Sequence, residues 1–300
     1  MRVIWLCLPL LFAPVGCASI ATGFAADALS GAGGSFGRDE DPELVEQAVP
    51  FALKTMEALL DSQPEHVGLL TALASGFAQY GYAFVQQDAD EIRGRDLAAG
   101  RALEARARKL YRRALRYALR GLEVDHQGFS ATVKTNPDRA LTELETEDVP
   151  LLYWTAASWG LLISSSKNDP EVLADLPLVE QLARRALLLD ESFQRGAIHE
   201  LMINLETSKS NGSLDEAKKH FERALVLSSG ARAAPYVTYA EKVCVKTQDR
   251  KTFLTQLDQA LAVALDKSPD DRLANVLMQR RAERLKSSVD DLFLEEGDSE

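Results

Sequence analysis

Cysteine is scarce in this chain of 300 residues: Cys7, Cys17 and Cys244 are the only three. That is too few for a disulfide framework, so the fold must stand on its apolar core. The four histidines, His66, His126, His199 and His220, form no HExxH and no paired ligand set with cysteine. No metal and no other cofactor is expected. Positive charge is also in deficit. There are 34 Lys and Arg against 45 Asp and Glu, a formal charge of −11, with a pI near 5.0. Affinity for nucleic acid comes mainly from neutralised phosphates, so no nucleic-acid partner is expected. No P-loop, dinucleotide fingerprint or nucleophile elbow is present, and the Asp-Glu pairs fall on polar helix faces or in loops. The expectation is a protein that is not an enzyme. What the chain does have is 46% apolar and 26% charged residues, a globular composition with ample material for a core.

Long hydrophobic runs are absent but for one. Val3 to Val15 is apolar, preceded by Arg2 and followed by Gly16-Cys17. A run of about a dozen residues is short for a membrane span, which needs ~20. It reads as a secretory signal, residues 1–16. The small residue before Cys17 resembles a bacterial lipoprotein signal, in which cleavage exposes the cysteine for acylation. Pro14 stands where such signals usually carry Leu. The alternative is an ordinary signal peptide with an incidental cysteine. Residues 17–41 then form an acylated, flexible tether, Gly-rich from 30 to 37. With Cys7 removed and Cys17 acylated, Cys244 is left alone.

From residue 42 to 294 the pattern is helical, and no stretch shows sustained period-2 alternation. It also repeats. Ala107, Tyr111 and Ala114 are spaced four then three residues apart, as are Val179, Ala183 and Ala186, then Ala217, Phe221 and Ala224, then Phe253, Leu257 and Ala260. Such spacing returns to one helical stripe, and the small residues let a neighbouring helix approach closely. The triplets resemble the second helix of tetratricopeptide (TPR) repeats. Leu70, Leu73, Ala74 and Phe77 fit a first helix, as do Trp154, Ala157, Ser158 and Leu161, and Tyr236, Tyr239, Ala240 and Val243. Leu201, Asn204 and Leu205 fit more poorly. Ser213 with Glu216 predicts a capping box. The expected fold is all-α, an α-solenoid of degenerate TPR-like helix pairs. A polar link at 86–100 and an insertion at 124–149 interrupt it, and a capping helix built on Leu273, Val276, Leu277, Arg280 and Leu285 closes it. Residues 295–300 read as an acidic tail.

Several local signals accompany this pattern. Asp148-Val149-Pro150 leads into Leu151-Leu152-Tyr153-Trp154, and Trp159-Gly160 follows. Leu273-Ala274-Asn275 and Arg281-Ala282 lie near the end, and Ala26-Asp27-Ala28-Leu29-Ser30-Gly31 follows the signal. With these, the mature chain resembles the T components of TRAP transporters, TPR-containing bacterial lipoproteins. The resemblance implies a periplasmic accessory protein anchored to a bacterial membrane by its N-terminal lipid. Its implied partners are the TRAP solute-binding P component and a small organic acid or hydrophobic solute. It also implies a homotrimer with a channel-like passage in each protomer. The alternative function is a TPR scaffold lipoprotein for envelope assembly or secretion.

In TPR arrays the concave surface is lined mostly by first helices. With Trp154 and Tyr153 in packing positions, Thr155, Trp159 and Leu162 are expected to face that surface from one repeat. Val237 and Glu241 are expected to face it from another. These five are the candidate ligand or partner residues, and Cys17 is the candidate lipidation site. Trp159 has a competing role, packing against the 124–149 insertion. Arg101, Arg106, Arg108, Lys109, Arg112, Arg113, Arg116 and Arg120 lie opposite the Ala107 stripe at 100° per residue. They predict a solvated outer face, or a dock for an acidic partner or lipid headgroups.

Overall fold

The computed structural model describes residues 33–166 and 169–294; the signal, Cys17 and the acidic tail lie outside them. The described residues are helical with no strand. Helix α1 spans Pro42–Ser62, its start fixed by Pro42 and by the Asp41 carboxylate, which accepts the Leu44 amide at 3.0 Å. Helix α2, Val67–Tyr80, runs on through a π turn at Gly81–Gln86 and a final α-helical stretch to Ile92. The expected link at 86–100 is therefore much shorter. The chain reverses within residues 93–96, and the Asp96 side chain caps α3, Leu97–Asp125, through the Ala98 and Ala99 amides.

The insertion folds into two short helices, α4 (Phe129–Thr135) and α5 (Pro137–Thr142). Phe129, Val133, Ala140, Leu141 and Leu144 are all buried. Then follow α6, Val149–Ser164; α7, Leu176–Leu189; α8, Ala197–Ser208; and α9, Leu214–Ser228. Helix α10, Ala234–Tyr239, continues through a second π turn at Ala240–Cys244. Helices α11, Arg250–Leu261, and α12, Arg272–Ser287, complete the array.

Every member of the four triplets is buried, on α3, α7, α9 and α11. Their partners are α2, α6, α8 and α10, and each pair packs on the next. Small residues at most triplet positions allow that close approach. Helix α6 is buried on nearly every side, between α3, α2 and α7. At Ser213 the Glu216 amide binds the serine hydroxyl, but the reciprocal half of the capping box comes from elsewhere. The Glu206 carboxylate accepts the Ser213 amide, while Glu216 pairs with Lys219.

Helix α12 does more than cap. On one side Asn275 bonds the Ala233 amide and the Ala231 carbonyl, and Gln279 bonds the Ala260, Leu261 and Val263 carbonyls. On the other, Leu277 enters the core shared with α1 and α2, Arg280 pairs with Glu43, and Arg284 donates to Gln87. The last helix thus returns to the first, and the stack closes on itself. Part of the expected tether joins this seam. Residues Gly33–Gly37 form a helical turn, Phe36 packs on the core, and a Cβ at Gly37 would meet the Asp270 carbonyl oxygen at 2.7 Å.

The basic face of α3 is less free than the helical wheel suggests. Arg113 pairs with Glu57, Arg108 donates to the Ser165 carbonyl at 2.9 Å, and Arg120 donates to the Pro64 carbonyl at 2.9 Å. Long side chains carry their charge several ångströms from the direction of their Cβ, so these guanidiniums reach neighbouring helices. Arg101, Lys109, Arg112 and Arg116 remain exposed.

Candidate functional site

Closure of the stack leaves a central cavity of about 2780 Å³, lined by α1, α2, α3, α6, α8, α10 and α12. Typical small-ligand pockets span ~300–1,000 Å³, so this space exceeds what one compact ligand fills. Val49, Leu53, Trp154, Leu161, Leu201 and Leu277 give it long apolar stretches.

Polar groups gather where the last helix meets the first ones. Arg281 of α12 donates from Nε and Nη2 to the two Glu241 carboxylate oxygens, each at 2.9 Å, and its Nη1 lies 3.5 Å from Asp90. Lys242 adds a 2.9 Å bond to Glu241. Burial pushes the Glu241 carboxyl up, but the charges and hydrogen bonds of Arg281 and Lys242 outweigh it and hold the group at about 2. Burial likewise works against the charge on Arg281, yet Tyr82, Glu241 and Asp90 leave its pKa above the usual arginine value.

A second polar pair faces the cavity from α8. Glu200 meets Arg232 at 2.6 Å. Burial raises the Glu200 carboxyl, with Arg232 opposing. Arg232 also donates to the Gln194 carbonyl at 3.0 Å. Gln194, Arg195 and Gly196 all take positive φ, a left-handed turn that only Gly196 adopts without strain. Arg195 anchors this turn across the cavity rim by its ion pair to Asp271.

The five candidate residues are not brought together. Glu241 lies on the cavity wall. Thr155 is buried, its hydroxyl bonded back to the Leu151 carbonyl at 2.7 Å; Leu162 and Val237 are buried in the core. Trp159 lies under the insertion. Lys134 of α4 sits 5.5 Å above its ring, and its indole nitrogen donates to Asp175 at 3.2 Å. Instead Trp154 and Tyr153, expected in packing positions only, line the cavity while remaining largely covered.

Another cluster is invisible to local spacing because its two histidines sit 21 residues apart on the facing helices of one pair, α8 and α9. His199 and His220 face one another with Nδ1 atoms 2.8 Å apart, and His199 Nε2 lies 3.2 Å from Glu191. Burial lowers both imidazoles, His220 to about 4 with further help from His199. Two neutral rings sharing one proton satisfy this contact between α8 and α9. Among the described residues no group of three or more His, Cys, Asp or Glu could hold a metal ion.

Fold and cavity together define an all-α helical-repeat protein built around a large central cavity that is open to solvent. The chain belongs to the TRAP transporter T-component family, whose family model matches residues 38–293. It is also similar to an uncharacterized protein of Treponema pallidum (strain Nichols), at 30% identity over 87% of this chain and 83% of that relative. The family makes it an accessory, extracytoplasmic component of a TRAP transporter. Among the described residues no helix is long and apolar enough to cross a membrane.

Proposed function

We propose that this protein is a lipid-anchored periplasmic accessory of a TRAP uptake system that engages the solute-binding P component and receives its solute in the central cavity. The cavity carries the reading: a closed helical stack with a compartment of about 2780 Å³ is suited to holding or passing a solute. Glu241 is the one residue of the five that contributes to its wall. A homotrimer goes with this reading, and Leu44 and Phe51, two turns apart on α1 and 56% and 78% exposed, offer apolar surface for it. The mature protein and the P component of the same genome, mixed and examined by calorimetry, are expected to bind with a Kd of about 1 μM or tighter. No heat and no co-elution at ~100 μM of each would refute the partner assignment.

Anchoring is tested separately at Cys17. Radiolabelled palmitate is expected to enter the wild type and not Cys17→Ser, and the wild type is expected in the membrane fraction. Equal labelling of both proteins refutes lipidation at that residue.

A further inference from the structure

We propose that the cavity wall around Tyr111 and Arg281 is a subsite for the uncharged polar head of an amphipathic ligand, whose apolar body lies along the Leu53, Trp154 and Leu277 wall. The inference deepens the reading of the cavity as the solute compartment and rests on it.

Tyr111 lines the cavity and is 1% exposed, yet its hydroxyl has no hydrogen-bond partner among the described residues. Packing does not require that hydroxyl. Tyr111 is the middle residue of its triplet, where the other three carry Ala183, Phe221 and Leu257. A phenylalanine would fill the same space without leaving a buried polar atom unsatisfied, which costs stability. The local backbone is shaped around the ring. A Cβ at Gly81 would meet Tyr111 Cε1 at 2.9 Å, so only glycine lets the tyrosine lie against α2. Gly81 opens one of the two π turns among the described residues, and Glu241 belongs to the other. Such turns recur at functional sites. Both meet here, with Arg281 bonded to Glu241 in the second and paired with Asp90, four residues past the first.

Charge decides the class of head. Arg281 and Lys242 are matched by Glu241 and Asp90, and Arg284 lies 3.8 Å from Glu91. A ligand carboxylate would have to displace Glu241 from a bidentate bond, and would then face three acids. A ligand cation would meet Arg281 and Lys242. A hydroxyl or a carbonyl needs neither exchange, and the Tyr111 hydroxyl can donate to it or accept from it.

The test uses the purified mature protein with three probes of equal chain length: decan-1-ol, decanoate at pH 8 and decyltrimethylammonium. Calorimetry is expected to show decanol binding at least tenfold tighter than either ion. Tyr111→Phe is expected to weaken decanol about fivefold, the effect of one lost neutral hydrogen bond. The melting temperature of the ligand-free variant is expected to equal or exceed that of wild type, because an unsatisfied buried hydroxyl is gone. Decanol affinity unchanged in Tyr111→Phe overturns the subsite while leaving the cavity reading intact. Decanoate binding tighter than decanol overturns the class of head. If none of the three probes binds wild type at millimolar concentration, the cavity reading falls and the subsite with it.

Discussion

Phe221→Ala is expected to lower the unfolding free energy by about 3–5 kcal/mol, among the largest losses for a single truncation in this chain. Phe221 is 7% exposed on α9 and stacks on Tyr239 at 4.3 Å between ring centroids, with Tyr236 edge-on at 6.0 Å. Its surroundings form a small apolar cluster of their own, with Ile203, Ala217 and Val243. That cluster joins α8 and α9 to α10, between the larger core of the first helices and the one around α11 and α12. In a helical array each unit leans on its neighbours, so a gap at this junction weakens the coupling as well as the local packing. Urea denaturation followed by far-UV circular dichroism is expected to show a lower midpoint and a broader transition. A loss below ~1 kcal/mol would show that the ring is not the buried link described. Phe51→Ala, on an exposed face of α1, is the control, with a change within about 0.5 kcal/mol in the isolated protomer.

The triplets were legible because small residues at i, i+4 and i+7 leave few alternatives to close helix packing, and all twelve positions are buried. The two tryptophans of α6 show where that logic ends. Spacing from Trp154 leaves two places for Trp159, the concave surface or the underside of the 124–149 insertion; it lies beneath α4, while Trp154 lines the cavity. A helix buried on nearly every side has little amphipathic contrast, so periodicity does not say which apolar residue faces which neighbour. Closure of the stack was equally hidden. Arg280 with Glu43 and Arg281 with Asp90 join residues roughly two hundred positions apart, and no local pattern encodes such a pairing. Glu241 was legible as cavity-facing, but its arginine partner was visible only as part of the Arg281-Ala282 motif.

Arg281→Met is expected to destabilise the protein by about 2 kcal/mol at pH 7, because it removes the bidentate partner of Glu241 and leaves only Lys242 to offset the burial that disfavours the carboxylate. Methionine keeps most of the volume, so lost packing is a minor part. In the wild type the Glu241 carboxyl is held at about 2, below its ordinary 4.5. A carboxyl depressed in the folded state adds stability above its unfolded pKa. That stability is lost as the pH falls toward the folded value, since the unfolded chain binds the proton first. Without Arg281 the Glu241 carboxyl rises, and its share of the stability shrinks or reverses. The difference between wild type and variant is therefore expected to be widest near pH 7 and to narrow steadily between pH 5 and pH 3. Adding Glu241→Leu to Arg281→Met is expected to recover most of the loss, since replacing a buried ion pair by apolar groups is often close to neutral. Asp90 also loses a partner, but its carboxylate is 37% exposed and 3.5 Å away, so water compensates much of that change. Denaturation midpoints of the three proteins at pH 7, 5 and 3 decide the matter. A gap independent of pH, or a double variant as weak as the single one, would show that Arg281 supports the seam through packing rather than through its charge.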